Sequence, residues 1–126
     1  MTGVDSAARS VGITFEPRVT LRISKGDRLP TVINVFSVAE NDQARLMELL
    51  TRATETSVRH VPGFIAAALH RSLDGRKVTM YAQWRSAEDY ERMRARPDAS
   101  PFLAEALTIA TFDPGLYDVA EVFAAE

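Results

Sequence analysis

An amide, an indole, a phenol and two imidazoles are the side chains in this sequence whose types and placement suit chemistry on a small molecule. Asn34 interrupts the apolar alternation of Val32, Phe36 and Val38. A buried amide left unpaired costs roughly 1–3 kcal/mol. Asn34 therefore either makes a structural bond to a helix or loop, or points into a pocket toward a ligand oxygen. Trp84, the only tryptophan, stands at the end of a strand pattern, and Tyr90 follows one turn into the next helix. An indole and a phenol at a strand-helix junction are either core packing or the walls of a pocket for a flat aromatic ligand. A phenol with a pKa of roughly 10 suits proton donation better than abstraction. His60 and His70 are the groups whose ordinary pKa suits a base near neutrality. His60 falls at the end of a helix, where a cation is stabilised by the helix dipole. His70 shares the alternation of Phe64, Ala66 and Ala68, and is read as facing the pocket. Two lone histidines make no metal motif, and the absence of cysteine excludes disulfides, thiolate metal sites and a thiol nucleophile.

The elements that must position these groups follow from periodicity. Residues 1–10 are small and polar, and alternation over 13–23, broken by Pro17, predicts an extra edge strand. The turn around Gly26 and Pro30 places the start of the compact module at Thr31, leaving 1–30 as an N-terminal extension and 31–126 as one domain. The β-branched run TVINVFSV predicts a strand. A helix then starts at Asn41 or Asp42, with Leu46, Leu49, Leu50, Ala53, Ser57 and His60 as its buried stripe, and Pro62-Gly63 ends it. The next strand spans 64–71, an Asp74-Gly75 hairpin turn follows, and 77–85 returns antiparallel. On that return strand Val78, Met80, Ala82 and Trp84 share one face, and Tyr81 and Gln83 the other. Ser86 is an N-cap with Asp89 as the reciprocal carboxylate of a capping box, opening a helix over 86–94. Ser100-Pro101 opens a short helix to about Ile109, and 116–123 predicts the last strand. Strand, helix, strand, strand, helix in two pieces, strand is the split βαβ order of a ferredoxin-like α+β domain. Helices cover one face of such a sheet. Ile33, Val35 and Tyr81 make the other face apolar as well, which predicts a homodimer packed sheet against sheet.

The composition narrows the function classes. A chain of 126 residues with 46% hydrophobic and 25% charged residues is that of one ordinary globular domain. A net charge of -2 gives no basic field for nucleic acid, and Arg92, Arg94 and Arg96 read as a solvated face with one member available at a pocket mouth. No apolar run reaches the roughly 20 residues that span a bilayer, and no secretory signal is evident, so a cytoplasmic protein is expected.

Asn-x-Phe in the first strand, Val-Pro-Gly-Phe after the first helix and Tyr-Ala-Gln-Trp-x-Ser into the second occur together here. In this combination the sequence resembles the antibiotic biosynthesis monooxygenase family of dimeric α+β barrel proteins. Within the family it is most similar to the cofactor-independent oxygenases of aromatic polyketide pathways. The resemblance implies oxidation of an anthrone-type polycycle to a quinone with O2, through a substrate carbanion and a peroxide, with no metal and no flavin. It also implies catalytic roles for Asn34, Trp84 and Tyr90, with Phe36, Met80, His70 and Phe64 against the substrate. The sequence departs from the resembled enzymes at Met80, which stands where they carry a second Asn; a thioether donates no hydrogen bond. Two other functions compete. Haem-degrading members carry an Asn, a Trp and a His ligand, and the segment 96–108 has no histidine. A non-catalytic dimeric module would keep the pocket and bind without turnover.

Overall fold

The computed structural model describes residues 18–26, 28–96 and 100–126. The residues form strand β1 (Thr31–Val38), helix α1 (Gln43–Thr56), strands β2 (Phe64–Arg71) and β3 (Lys77–Trp84), helices α2 (Ala87–Arg94) and α3 (Pro101–Ile109), and short strands β4 (Ala110–Asp113) and β5 (Leu116–Tyr117). The antiparallel sheet runs β2-β3-β1-β4, with β5 also pairing to β1, and this is the ferredoxin-like α+β arrangement expected.

β1 is central, which suits its β-branched content: Val32 and Phe36 are buried on the helix face. Its register sets Asn34 opposite Met80 and Val32 opposite Ala82. Leu46, Leu49, Leu50 and Ala53 of α1 are buried as the heptad-like spacing requires. Two apolar clusters result. One joins Phe36, Leu46, Leu49, Leu50, Val78 and Ala106; the other joins Val32, Ala82, Trp84 and Tyr90. Asn34 lies on β1 between Val32 of one cluster and Phe36 of the other.

Several elements differ from the expectation. α1 stops at Thr56 because Ser57 leaves helical geometry (φ -135°, ψ -67°), and a single 3-10 turn over Val58–His60 follows. Ser57 and His60 are therefore not part of the buried stripe; His60 is exposed, with Nε2 2.9 Å from the Glu55 carbonyl. The 72–76 connection, by contrast, joins β2 and β3 at the expected bounds through five residues. Ser72 Oγ and Asp74 Oδ1 take its backbone N–H groups, and Gly75 supplies the positive φ of 80°. The last strand forms earlier than 116–123, at Ala110–Asp113, resumes only for Leu116–Tyr117, and leaves 118–126 without regular structure. Pro114 has no N–H to continue the ladder. Of the predicted strand over 13–23, residues 13–17 lie outside those described, and 18–23 carry no strand. Instead Gln83, on the face away from the helices, donates through Nε2 to the Arg22 carbonyl at 2.6 Å.

Candidate active site

The site is assembled where two sequence motifs meet. At the start of β2, Gly63 adopts φ 98° and its carbonyl accepts the Arg85 N–H at 2.7 Å. A Cβ there would fall 2.5 Å from the Asp89 side chain, so only glycine permits this approach. Ser86 caps α2, with Oγ accepting the Asp89 N–H at 3.1 Å. The Asp89 carboxylate takes on more than a capping box. It accepts from Arg85 Nε at 2.9 Å, Arg92 Nη1 at 2.7 Å and Ser86 Oγ at 2.9 Å. The Arg85 and Ser86 hydrogen bonds, the first of these above all, lower its pKa to about 2. This knot fixes the first turn of α2, and with it the next residue, Tyr90.

Tyr90 packs against Trp84 with ring centroids 5.7 Å apart, and Phe64 packs edge-on to the other partner, Trp84, at 5.5 Å. Across the sheet, Phe36 stacks on Phe112 at 4.7 Å. Between the two clusters lies a cavity of about 210 Å³. Its walls come from β1 (Asn34, Phe36), β3 (Met80, Trp84), α1 (Leu50, Ala53) and α2 (Tyr90, Met93, Arg94), closed by residues of α3 and by Phe112.

The polar centre of this cavity is a pair. Asn34, only 8% exposed, donates from Nδ2 to Tyr90 Oη at 3.3 Å, and the Tyr90 hydroxyl lies 3.4 Å from Asn34 Oδ1. Oδ1 also accepts the Gly115 N–H at 3.3 Å. That backbone donor identifies the oxygen end of the amide, so the NH2 end is the one turned to the phenol. Gly115 is itself tied to β1, because its carbonyl accepts the Ile33 N–H at 2.9 Å. The phenol can accept from Nδ2 while its own proton swings from Oδ1 to the oxygen of a bound molecule. A largely apolar cavity thus presents a short donor relay, amide to hydroxyl to ligand oxygen. Among the described residues its other ionisable group is Arg94, and no carboxylate or imidazole lines it.

Of the residues picked out in the sequence, Asn34, Phe36, Met80, Trp84 and Tyr90 meet in this cavity. Two do not. Phe64 supports the indole without bounding the cavity. His70 is exposed and faces the other side of the sheet. The reason is a β-bulge: Phe64 pairs with Trp84, but Ala66 pairs with Gln83, so Ile65 is an extra residue that reverses the alternation. His70 consequently sits opposite Thr79, where an unbroken register from the Phe64–Trp84 pair would set it opposite Val78. Sequence reading missed Leu50 and Ala53, taken as plain core from their helical spacing, and Phe112, which falls in a region expected to be loop. Among the described residues no group of three His, Cys, Asp or Glu side chains is placed to hold a metal ion. Among the described residues no helix is long and apolar enough to cross a membrane either.

Fold and pocket together define a small ferredoxin-like protein with a largely apolar cavity that presents an amide and a phenol. The antibiotic biosynthesis monooxygenase family model matches residues 30–105, and the chain belongs to that family; its class of activity is that of a monooxygenase. Over 103 residues it is 39% identical to the tetracenomycin-F1 monooxygenase of Streptomyces glaucescens, covering 82% of this chain and 92% of that protein. The fold is similar to that of SnoaB, a cofactor-independent oxygenase from Streptomyces nogalater, with a TM-score of 0.67 at 22% identity over 78% of this chain and 99% of that chain. An anthrone oxidase-like protein superposes with a TM-score of 0.63 at 26% identity, over 73% of this chain and 40% of that one.

Proposed function

We propose that this protein is a monooxygenase that needs no metal or flavin and oxidises an anthrone-type polycyclic aromatic polyketide to a quinone. The observation that carries the reading is the Asn34–Tyr90 donor pair inside a cavity otherwise walled by Trp84, Phe36, Phe112, Met80 and Met93. Apolar and aromatic walls suit a flat polycycle, and a few placed donors fix its oxygen. The 39% identity to a tetracenomycin-F1 monooxygenase supports the substrate class.

In this reading the methylene carbon of the anthrone loses a proton, and the carbanion is delocalised onto the ring oxygen. With no carboxylate or imidazole lining the cavity among the described residues, that proton leaves to a base outside it. Asn34 and Tyr90 hold the resulting oxyanion, which is worth more in a dry cavity than in water. The carbanion passes one electron to O2, and the two radicals combine to form a C–O bond. The peroxide then takes up a proton and loses water, leaving a carbonyl: one O2 enters and one H2O leaves. Trp84 and Phe36 keep the polycycle in place, while Met80 fills the wall opposite Asn34.

A homodimer through the sheet face that carries no helix is part of the proposal. Ile33, Val35 and Tyr81 are half-buried there, and Tyr117 and Phe123 are 53% and 92% exposed in the single chain. The test of function is O2 uptake by metal-free, flavin-free protein with a model anthrone. Protein-dependent uptake with quinone formation is expected. Trp84 quenching by the anthrone with no uptake above the uncatalysed rate would instead make the protein a binding module.

A further inference from the structure

The cavity holds one charged side chain that the reaction above does not use. Arg94 closes the last turn of α2, is exposed, and bounds the cavity at the solvent side. Its Cζ lies 6.0 Å from the Tyr90 ring centroid and 5.3 Å from that of Phe112. The rings therefore hold the guanidinium by cation–π attraction, in a defined place beside the opening. Arg85 and Arg92 are committed to Asp89, and Arg45 to Glu48 and Glu105, while Arg52 lies over the Phe102 ring. Arg94 has no carboxylate partner among the described residues. A guanidinium resting on rings keeps its in-plane N–H donors at the edge, where they match the two oxygens of a carboxylate.

The size of the cavity gives this cation an object. At about 210 Å³ it is smaller than the roughly 300 Å³ at which pockets for drug-sized ligands begin. A flat polycycle anchored by an oxygen at Asn34 and Tyr90 thus extends past the opening, under Arg94. Resting on the pocket reading above, we propose that Arg94 is a specificity-determining residue whose guanidinium receives a carboxylate on the outer ring of the aromatic substrate.

The test is titration of Trp84 fluorescence with anthracene-2-carboxylate and with the neutral anthracene-2-carboxamide, on the wild type, Arg94→Met and Arg94→Lys. The ratio of the two affinities within each protein is the readout, so a general loss of packing cancels. The wild type should prefer the carboxylate by about tenfold or more, the range of a charge-assisted hydrogen bond. Arg94→Met keeps an apolar cover over the rings and should bring the ratio close to unity, and Arg94→Lys should restore part of it. The preference should also shrink at high salt, since the site borders solvent. An equal ratio in wild type and Arg94→Met overturns the inference and leaves Arg94 as a cover for Tyr90 and Phe112. Failure of the wild type to bind even the carboxamide overturns the pocket reading, and this inference with it.

Discussion

Replacing Asn34 separates a structural amide from a working one. In Asn34→Ala the Gly115 N–H and the Tyr90 hydroxyl both lose a partner inside the fold. A buried donor left unmet costs about 1–3 kcal/mol. The contacts concerned are long, 3.3–3.4 Å, which puts each at the low end of that range. A loss of about 1–2 kcal/mol follows, or a fall in melting temperature of order 5–10 °C for a domain of this size. Such a loss leaves nearly all molecules folded at assay temperature. If the NH2 group also holds the developing oxyanion, kcat should fall by about 10²–10³, the cost of one preorganised donor. Asn34→Asp adds a finer cut, because it keeps an acceptor for Gly115 while removing the donor. Its carboxylate faces the developing oxyanion, so the rate should fall at least as far as in the alanine variant, and the cost of burying a charge offsets the acceptor it keeps for Gly115. The assay pairs O2 uptake with quinone absorbance against thermal unfolding of the same samples. Turnover within about threefold of wild type in both variants, with the melting temperature lowered as calculated, would refute the donor role and make Asn34 a tie between β1 and Gly115.

Three further outcomes test the frame around that amide. Met80→Asn places a second donor directly opposite Asn34, and should raise the rate with a model anthrone severalfold while losing about 1 kcal/mol of apolar burial; a lower kcat at unchanged KM would show that the thioether itself is needed. Gly63→Ala puts a Cβ 2.5 Å from Asp89 at a φ of 98°, so unfolding in urea should reveal a loss of about 1–3 kcal/mol or more, and an unchanged midpoint would mean that the α2 knot is loose. The Asp89 carboxyl has a folded pKa of about 2, below its unfolded value of roughly 3.9. Its contribution is therefore fully present above about pH 4 and lost as pH falls through about 2. Urea midpoints across that window should drop more steeply for wild type than for Asp89→Asn, and parallel curves would remove Asp89 from the account.

Much of this protein was legible from local rules. The β-branched run of β1, the Leu46-Leu49-Leu50-Ala53 spacing of α1, Ser86 and Ser100 as caps, and Pro101 at a first helical turn each act within a few residues, so the element order followed from them. The placement of Trp84 over Tyr90 was equally local, six residues apart across one junction. Tertiary structure decided the rest, because it depends on what meets across the sheet. Nothing in the alternation of β2 announces the extra residue at Ile65, yet that bulge turns His70 away from the cavity. Gly115 and Phe112 lie far from Asn34 and Phe36 in the chain, and only strand pairing brings one to the amide and the other to the ring. Leu50 and Ala53 carry the spacing of ordinary core, and whether such residues face neighbours or an opening is set by volume, not by pattern. The sequence by itself determined which side chains share a face on β1, β3 and α1, where no bulge interrupts the period. Whether that face closes into solid core or leaves a cavity beside Asn34 was decided by how the two apolar clusters pack around it.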